Sequence, residues 1–329
     1  MRPHQRIAVV EASQVGEVRR AAEVLAREQG FNDVAAGRLA IAVTELGTNL
    51  VRHAREGVML VGAGSAGAIE LIAWDRGAGM DVARCLQDGY STGGTAGQGL
   101  GAVRRAADRF SAYSLPGSGS VIAACVRMPA TAVAAPPFEI AALGLPSPGE
   151  QVSGDGWGVR EAASSMLLMV ADGLGHGPDA AAAADAALAA FQALAADSPA
   201  AVLEGAHGRM RATRGAAVAV AAFSSAHSKL SFAGAGNICA RLISGVEDRS
   251  LLSQHGTLGV QIRRLQDISY EWPEHAILVM HSDGIVTRWT LNDAPGLLQC
   301  DAAVIAGWIL RDHSRGRDDA TVVVVKRRH

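Results

Sequence analysis

Cysteine, aromatic residues, net charge and long apolar runs are all scarce in this sequence, and each scarcity excludes something. The four cysteines, Cys85, Cys125, Cys239 and Cys300, lie far apart and none forms a CxxC pair. Neither a zinc ribbon nor a disulfide framework is indicated, and reduced thiols are expected. A net charge of -2 gives no global field that would favour nucleic acid or an anionic membrane. The closing "KRRH" reads as a solvated tail. No uncharged apolar run reaches the roughly 18 residues that span a bilayer. The opening "MRPHQRIAVVEAS" lacks the apolar core of a signal peptide. Aromatics are only 4% of the 329 residues, but 49% are hydrophobic, which is ample for packed cores and not a disordered composition. A cytoplasmic protein with no nucleic-acid or membrane partner is the expectation.

What is present divides in two. The length suggests two domains. The stretch "MPATAVAAPPFE" (128–139) carries three prolines and no charge before Glu139, which reads as a linker. The expected boundaries are a domain at 1–130, a linker at 131–137 and a second domain at 138–329. The halves differ in pattern, so the chain is no duplication. In the first, a strand is expected in "RIAVV", helices at about 15–30, 33–55 and 100–109, strands near 58–63 and 67–75 followed by a short helix, and two more strands at the end. Helices and strands mix without βαβ alternation, which implies an α+β layer. In the second, strands are expected at 152–160, 165–171, 216–223, 228–233, 238–243, 276–281 and in "ATVVVVK". Helices interrupt them at about 178–195, 199–210 and 301–312. Two layers of sheet with helices outside fit this pattern.

Three motifs stand out in the first half. In "RLAIAVTELGTNLVRHA" (38–54) an apolar stripe runs at helical spacing, and Glu45, Asn49 and His53 share another face. A carboxylate and an amide one turn apart suit a hydrated magnesium ion and the atom it activates; an exposed polar face has the same pattern. "LIAWDRGAGM" (71–80) ends a strand with Asp75, able to accept from an exocyclic amine. Gly77 and Gly79 would let a flat base lie against the backbone. "GYSTGGTAGQGLGAVRRAADRF" (89–110) is a glycine-rich loop that opens into a helix, an arrangement that wraps phosphates with backbone N–H groups. A dinucleotide site is disfavoured because no βαβ unit surrounds the glycines.

The order ExxxN, DxGxG, GxGxG resembles the GHKL ATP-binding family, and its wording is similar to the small serine/threonine kinases and anti-sigma factors of the RsbT type. The resemblance covers about residues 5–128. It implies a Bergerat-type α/β sandwich that binds Mg-ATP. Glu45 would be the general base and Asn49 the magnesium ligand. Asp75 would bind adenine, beside Gly77, Gly79 and Ser120. Gly97, Gly99, Leu100 and Gly101 would hold the phosphates. There is no Lys or Arg between Asp88 and Arg104, so the lid offers no cation of its own to the γ-phosphate. Backbone amides, magnesium, or Arg104 and Arg105 must serve, or transfer is slow.

The second half places aspartates at turns. Asp155 sits among glycines in "QVSGDGWGV". Asp172 and Asp283 each follow an apolar strand and precede a glycine, in "LLMVADGLGHG" and "AILVMHSDGIV". Asp318 and Asp319 stand just before a strand in "RGRDDATVVVV". Carboxylates converging on one sheet edge repel one another unless cations neutralise them. Oxygen-only ligation favours magnesium or manganese over zinc. Two such ions suit phosphate-ester hydrolysis. Taken singly, any one of these aspartates also fits a turn cap.

"ADGLGHG", "FAGAGNICARLI", "SDGI" and "RDDATVVVVK" resemble the SpoIIE-type branch of metal-dependent serine/threonine phosphatases, with a compact length similar to RsbX. The resemblance runs from about 139 to 326 and implies an α-β-β-α sandwich holding two manganese or magnesium ions. Asp155, Asp172, Asp283, Asp318 and the carbonyl of Gly173 would be ligands. Asp155 and Asp172 would be catalytic through the metals, with Asp172 bridging. Asp319, also a candidate ligand, occupies a position where the wider family often has asparagine. His176 reads as a turn residue one turn from the cluster, and Asn237 as ordering a hairpin. Together the halves imply a chain that phosphorylates and dephosphorylates a STAS-domain protein of the anti-anti-sigma or stressosome type. A sigma factor is an alternative partner and a homodimer a further expectation. In the other reading only the phosphatase is an enzyme, and the first half binds its partner with ATP as a conformational ligand.

Overall fold

The computed structural model describes residues 3–64, 67–86, 99–128, 136–162 and 165–328. The chain forms two compact units. One comprises Arg2–Ala135 with Gln299–Trp308; the other comprises Pro136–Leu298 with Ile309–His329.

The first unit contains β1 (Gln5–Ala8), α1 (Ala12–Glu28), α2 (Asp33–His53), β2 (Val58–Ala63), β3 (Ile69–Asp75), α3 (Val82–Cys85), α4 (Gly99–Ala106), β4 (Arg109–Leu115) and β5 (Gly119–Val126). Its sheet is antiparallel in the order β1-β2-β3-β5-β4. The helix starts are chemically marked. Glu11 and Gln14 form a capping box at α1, and the Asn32 side chain accepts from the Ala35 N–H at 2.9 Å to cap α2. Every second residue of β3, namely Ile69, Leu71 and Ala73, joins Val18, Leu39, Val43, Leu46 and Leu50 in one core. α2 has the length and mean hydropathy of a membrane-crossing helix. Here its apolar stripe is buried in that core, and Glu45, Asn49 and His53 lie outside it.

The second unit contains β6 (Phe138–Leu145), β7 (Asp155–Glu161), β8 (Met166–Gly173), α5 (Pro178–Ala193), α6 (Pro199–Arg209), β9 (Ala216–Phe223), β10 (Lys229–Ala235), β11 (Cys239–Ile243), β12 (Asp248–Leu251), β13 (Gly256–Thr257), β14 (Gln261–Ile262), β15 (Ile268–Glu271), β16 (Ile277–His281) and β17 (Ala320–Arg327). Helix α7 (Ala302–His313) spans the boundary of the two units. Two five-stranded sheets form, β15-β10-β9-β8-β7 and β12-β11-β16-β17-β6, with β13-β14 as a separate pair. Residues of both sheets make one core, in which Leu168 and Val170 of β8 meet Leu278, Met280, Val323 and Val325. Leu167, Met169 and Ala171 face the other way, against Ala184, Ala187, Phe191 and Leu203 of α5 and α6. A strand covered on both faces has no polar side to display, which is why "LLMVA" is continuously apolar.

The chain is the mixed α+β protein that the pattern predicts. The strands expected at 58–63 and 216–223 are found with those bounds, and the others shift by a few residues. The sequence reading misses β6, β12, β13, β14 and β15; the longest of them, β6, follows the proline-rich stretch directly and pairs with β17 along its whole length.

Candidate functional site

In the second unit the acidic residues are gathered by strand pairing. Asp155 opens β7 and lies directly opposite Asp172, near the end of β8. Asp283 follows β16, and Asp318 and Asp319 precede β17, which pairs with β16. The four strand ends therefore meet at one end of the two sheets. Glycines permit the approach. A Cβ on Gly284 would strike the Asp319 carbonyl oxygen, and one on Gly173 the Ala180 carbonyl oxygen.

The electrostatics follow from burial. Burial pushes the Asp172 carboxyl up, and the charges of Asp155, Asp283 and Asp318 add to the shift. Asp155 is also pushed up, chiefly by burial, with a hydrogen bond from Ser282 opposing and the charge of Asp319 adding. Asp283 is raised by burial and by Asp318, against Arg315 and a hydrogen bond from Asn237. Like charges in low dielectric demand a cation or a proton. Among the described residues, no three acidic, His or Cys side chains already stand at the spacing of one ion's ligand shell, as expected of carboxylates that repel one another. The donor set is nonetheless all oxygen. Asp155 presents a buried Oδ1 with no hydrogen-bond partner, an omission that costs about 1–3 kcal/mol if nothing fills it. These residues fit hard divalent cations.

The neighbours divide into those aimed at the cluster and those holding it. Asn237 Nδ2 donates to Asp283 Oδ2 at 2.7 Å. Asp319 is committed elsewhere: Oδ1 accepts from the Ser147 N–H at 2.8 Å and Oδ2 from the Gly154 N–H at 2.9 Å. The geometry thus assigns Asp319 to holding the loop before Asp155, where the sequence suggested a ligand. Asp318 Oδ1 accepts from the Asp319 N–H at 3.0 Å. His176 is exposed and its Nδ1 pairs with Glu150 at 2.9 Å. Sequence reasoning missed Ser282 and Glu150; a serine before "DG" carries no signal until the fold places Asp155 against it.

In the first unit, Asp75 ends β3 directly opposite Ser120 of β5. Both are buried. Asp75 Oδ1 accepts from the Gly77 N–H at 2.6 Å. The Ser120 hydroxyl lies 3.0 Å from that of Ser114, which accepts from the Met80 N–H at 2.7 Å; Ser114 is a further residue the sequence did not single out. Glycine is required at 79, where φ is +79° and a Cβ would sit 2.7 Å from the Leu115 carbonyl oxygen. Glu45 and Asn49 lie on α2, and an ideal Cβ on Gly99 would come within 4.0 Å of Asn49 Oδ1. Gly99 and Gly101 open α4. Leu100 is buried in the core, so its side chain packs and only its backbone is available to a ligand. Glu45 lines a cavity of about 620 Å³ with Arg19, Arg38, Ile41, Thr44 and Arg105. Gly97 lies outside the described residues.

Known families match the two halves of the chain separately. Residues 162–328 match the family described as Stage II sporulation protein E (SpoIIE). Residues 9–127 match the histidine kinase-like ATPase domain. The serine/threonine-protein kinase RsbT of Bacillus subtilis (strain 168) is 36% identical over 105 residues, which are 30% of this chain and 78% of RsbT. A chain solved in work on the bacterial stressosome, "a modular system that has been adapted to control secondary messenger signaling", superposes with a TM-score of 0.54 at 26% identity, over 57% of this chain and 99% of its own. RsbX in complex with magnesium superposes with a TM-score of 0.51 at 19% identity, over 58% of this chain and 96% of its own, a likeness of fold. The chain belongs to the SpoIIE family through its second half and carries an RsbT-related, histidine kinase-like ATPase domain in its first.

Proposed function

We propose that this SpoIIE-family chain sets the phosphorylation state of a regulatory protein in both directions, through a metal-dependent serine/threonine phosphatase in the second unit and an ATP-dependent serine/threonine kinase in the first. The observation that carries the reading is the meeting of Asp155, Asp172, Asp283 and Asp318 at one end of the two sheets, with a buried Asp155 oxygen left unpartnered. Those four carboxylates, with the Gly173 carbonyl, are the groups that would hold two manganese or magnesium ions. Such ions, when bound, screen a phosphate's charge and make water more acidic. The chain's own part is to hold the carboxylates in place. Asn237 fixes one oxygen of Asp283, and Asp319 ties the Ser147 and Gly154 backbones beside Asp155.

In the first unit Glu45 takes the proton of an acceptor hydroxyl entering the cavity it lines, and Asn49 is the residue that would hold magnesium. Asp75 and Ser120 receive adenine, and the backbone of Gly99 and Gly101 receives phosphate. Positioning and electrostatics do most of the work in phosphoryl transfer, and the identity with RsbT supports this assignment. The partner we propose is a STAS-domain phosphoprotein of the stressosome or anti-anti-sigma type, met in the cytoplasm. The likeness to the stressosome chain supports it. A second reading, that the first unit only binds its partner, is favoured by the absence of Lys or Arg between Asp88 and Arg104.

The first test is hydrolysis of an aryl phosphate with added manganese. Manganese-dependent turnover that vanishes in Asp172→Asn is the expected result. A folded wild type with no turnover on either an aryl phosphate or a phosphorylated STAS domain would defeat the phosphatase reading. For the kinase, labelled phosphate should pass from ATP to a STAS partner and fail to do so in Glu45→Ala. Binding without transfer in the wild type would select the second reading.

A further inference from the structure

Ser282 is buried, sits one residue before Asp283, and does three things at once. Its hydroxyl donates to Asp155 Oδ2 at 2.6 Å. Its oxygen accepts from the Thr321 N–H at 3.0 Å. Its own backbone N–H donates to the Thr321 carbonyl at 3.1 Å. The hydroxyl has a single proton. A backbone N–H can only donate, so Thr321 occupies an acceptor lone pair of Ser282 and leaves the proton for Asp155. The direction of the bond is fixed by the fold. The other oxygen of the same carboxyl, Oδ1, is buried and has no hydrogen-bond partner.

One hydroxyl thus connects three strand ends: β7, which brings Asp155; the end of β16, which brings Asp283; and β17, which Asp318 precedes. Asp155 and Ser282 belong to opposite sheets, so the bond crosses between the two sheets at the acidic end. We infer that Ser282 is a positioning residue for the metal centre, clamping Oδ2 of Asp155 so that Oδ1 is the oxygen presented to a divalent cation. This rests on the phosphatase reading and adds to it a residue that touches neither substrate nor ion. Partners of this kind typically change metal affinity by roughly 10- to 100-fold. They act on occupancy more than on the rate of a filled site.

The test is a manganese titration of the full chain, read directly by the loss of free Mn²⁺ signal in electron paramagnetic resonance and in parallel by turnover. Ser282→Ala should raise the half-saturating manganese concentration roughly 10- to 100-fold with little change in kcat at saturation. Ser282→Thr, which keeps the hydroxyl, should restore wild-type binding. If Ser282→Ala does not fold, Ser282→Cys, near in size and a weak donor, should fold and weaken binding in the same direction. A folded Ser282→Ala or Ser282→Cys that binds manganese as tightly as wild type overturns the inference and leaves the phosphatase reading standing. A wild type that binds no manganese overturns that reading itself.

Discussion

At the scale of single residues, His281 shows how neighbours choose a protonation state. It is buried at 1% exposure. Its Nδ1 lies 2.8 Å from the Ser282 carbonyl oxygen, which can only accept, so Nδ1 carries the proton. Its Nε2 accepts from the Trp289 Nε1–H at 3.1 Å. A second proton on Nε2 would face that N–H head-on. Burial, together with the positive charges of Arg241 and His313, lowers the imidazole pKa from 6.5 to about 4, with the Ser282 carbonyl opposing. Below pH 6.5 the unfolded histidine takes up a proton that the folded one refuses, so stability falls as pH drops from 6.5 toward 4. The loss approaches about 3 kcal/mol across that window. Nitrogen-15 shifts should show His281 as the neutral Nδ1–H form at pH 5; an imidazolium there would refute the argument. Arg241 buttresses the same pocket, its guanidinium 3.9 Å from the Trp289 ring centroid and its forked pair held by Asp248.

Gly119 makes the equivalent case in the first unit. Its φ is +82°, and a Cβ there would strike the Asp75 carbonyl oxygen. Both facts bear on the start of β5, where Ser120 faces Asp75. Gly119→Ala should therefore cost of order 1–3 kcal/mol through strain and weaken ATP binding, measured by titration with a fluorescent ATP analogue. Unchanged affinity would remove Gly119 from the nucleotide site.

At the scale of elements, the core between the two sheets depends on a few rings. Phe138 meets Phe223 edge-on at 4.7 Å and stacks on Trp272 at 5.7 Å, and Phe223 meets Trp272 edge-on at 5.4 Å. Phe223→Ala should lower the stability of the second unit by about 3–5 kcal/mol, read as a shift of the denaturant midpoint. A loss under 1 kcal/mol would mean the site collapses freely. The same cluster explains what the sequence could not display. The strands β8, β9 and β16 are legible because both faces are covered and their apolar runs are unbroken. β6, "FEIAALGL", has a single β-branched residue and follows two prolines. It becomes a strand through eight residue pairs with β17 and through Phe138 in the ring cluster, contacts made with residues far along the chain. The candidate site divides in the same way. Aspartates ahead of glycines after apolar strands announce themselves, as do ExxxN and DxGxG. The Ser282 clamp and the turning of Asp319 toward Ser147 and Gly154 exist only once the strand ends meet.

At the scale of the whole molecule, the acidic end of the second unit sets a conflict between stability and function. Asp155, Asp172 and Asp283 all have raised pKa values, with burial the leading cause and neighbouring carboxylates adding to it. For an acid raised above its ordinary 3.8, stability is fully present below that value and is lost as pH rises through the folded pKa. The unfolded chain releases protons that the folded one retains. Metal binding reverses the balance because the ion prefers the ionised carboxylates and a site that exists only when folded. Below pH 6.5 the His281 effect runs the other way, so the two are separable above pH 7, where that imidazole is neutral in both states. Between pH 7 and 9, in EDTA, the unfolding free energy of the second unit should fall as pH rises, and saturating manganese should remove the slope and raise the midpoint. Asp172→Asn should flatten the slope in EDTA, because it deletes a carboxylate that both is buried and repels its neighbours. The first unit has a separate core and none of these three aspartates, so Glu45→Ala should leave the slope, the manganese effect and aryl phosphate hydrolysis as in wild type. A slope that survives Asp172→Asn unchanged would locate the strain outside the cluster and deprive the metal reading of its energetic basis.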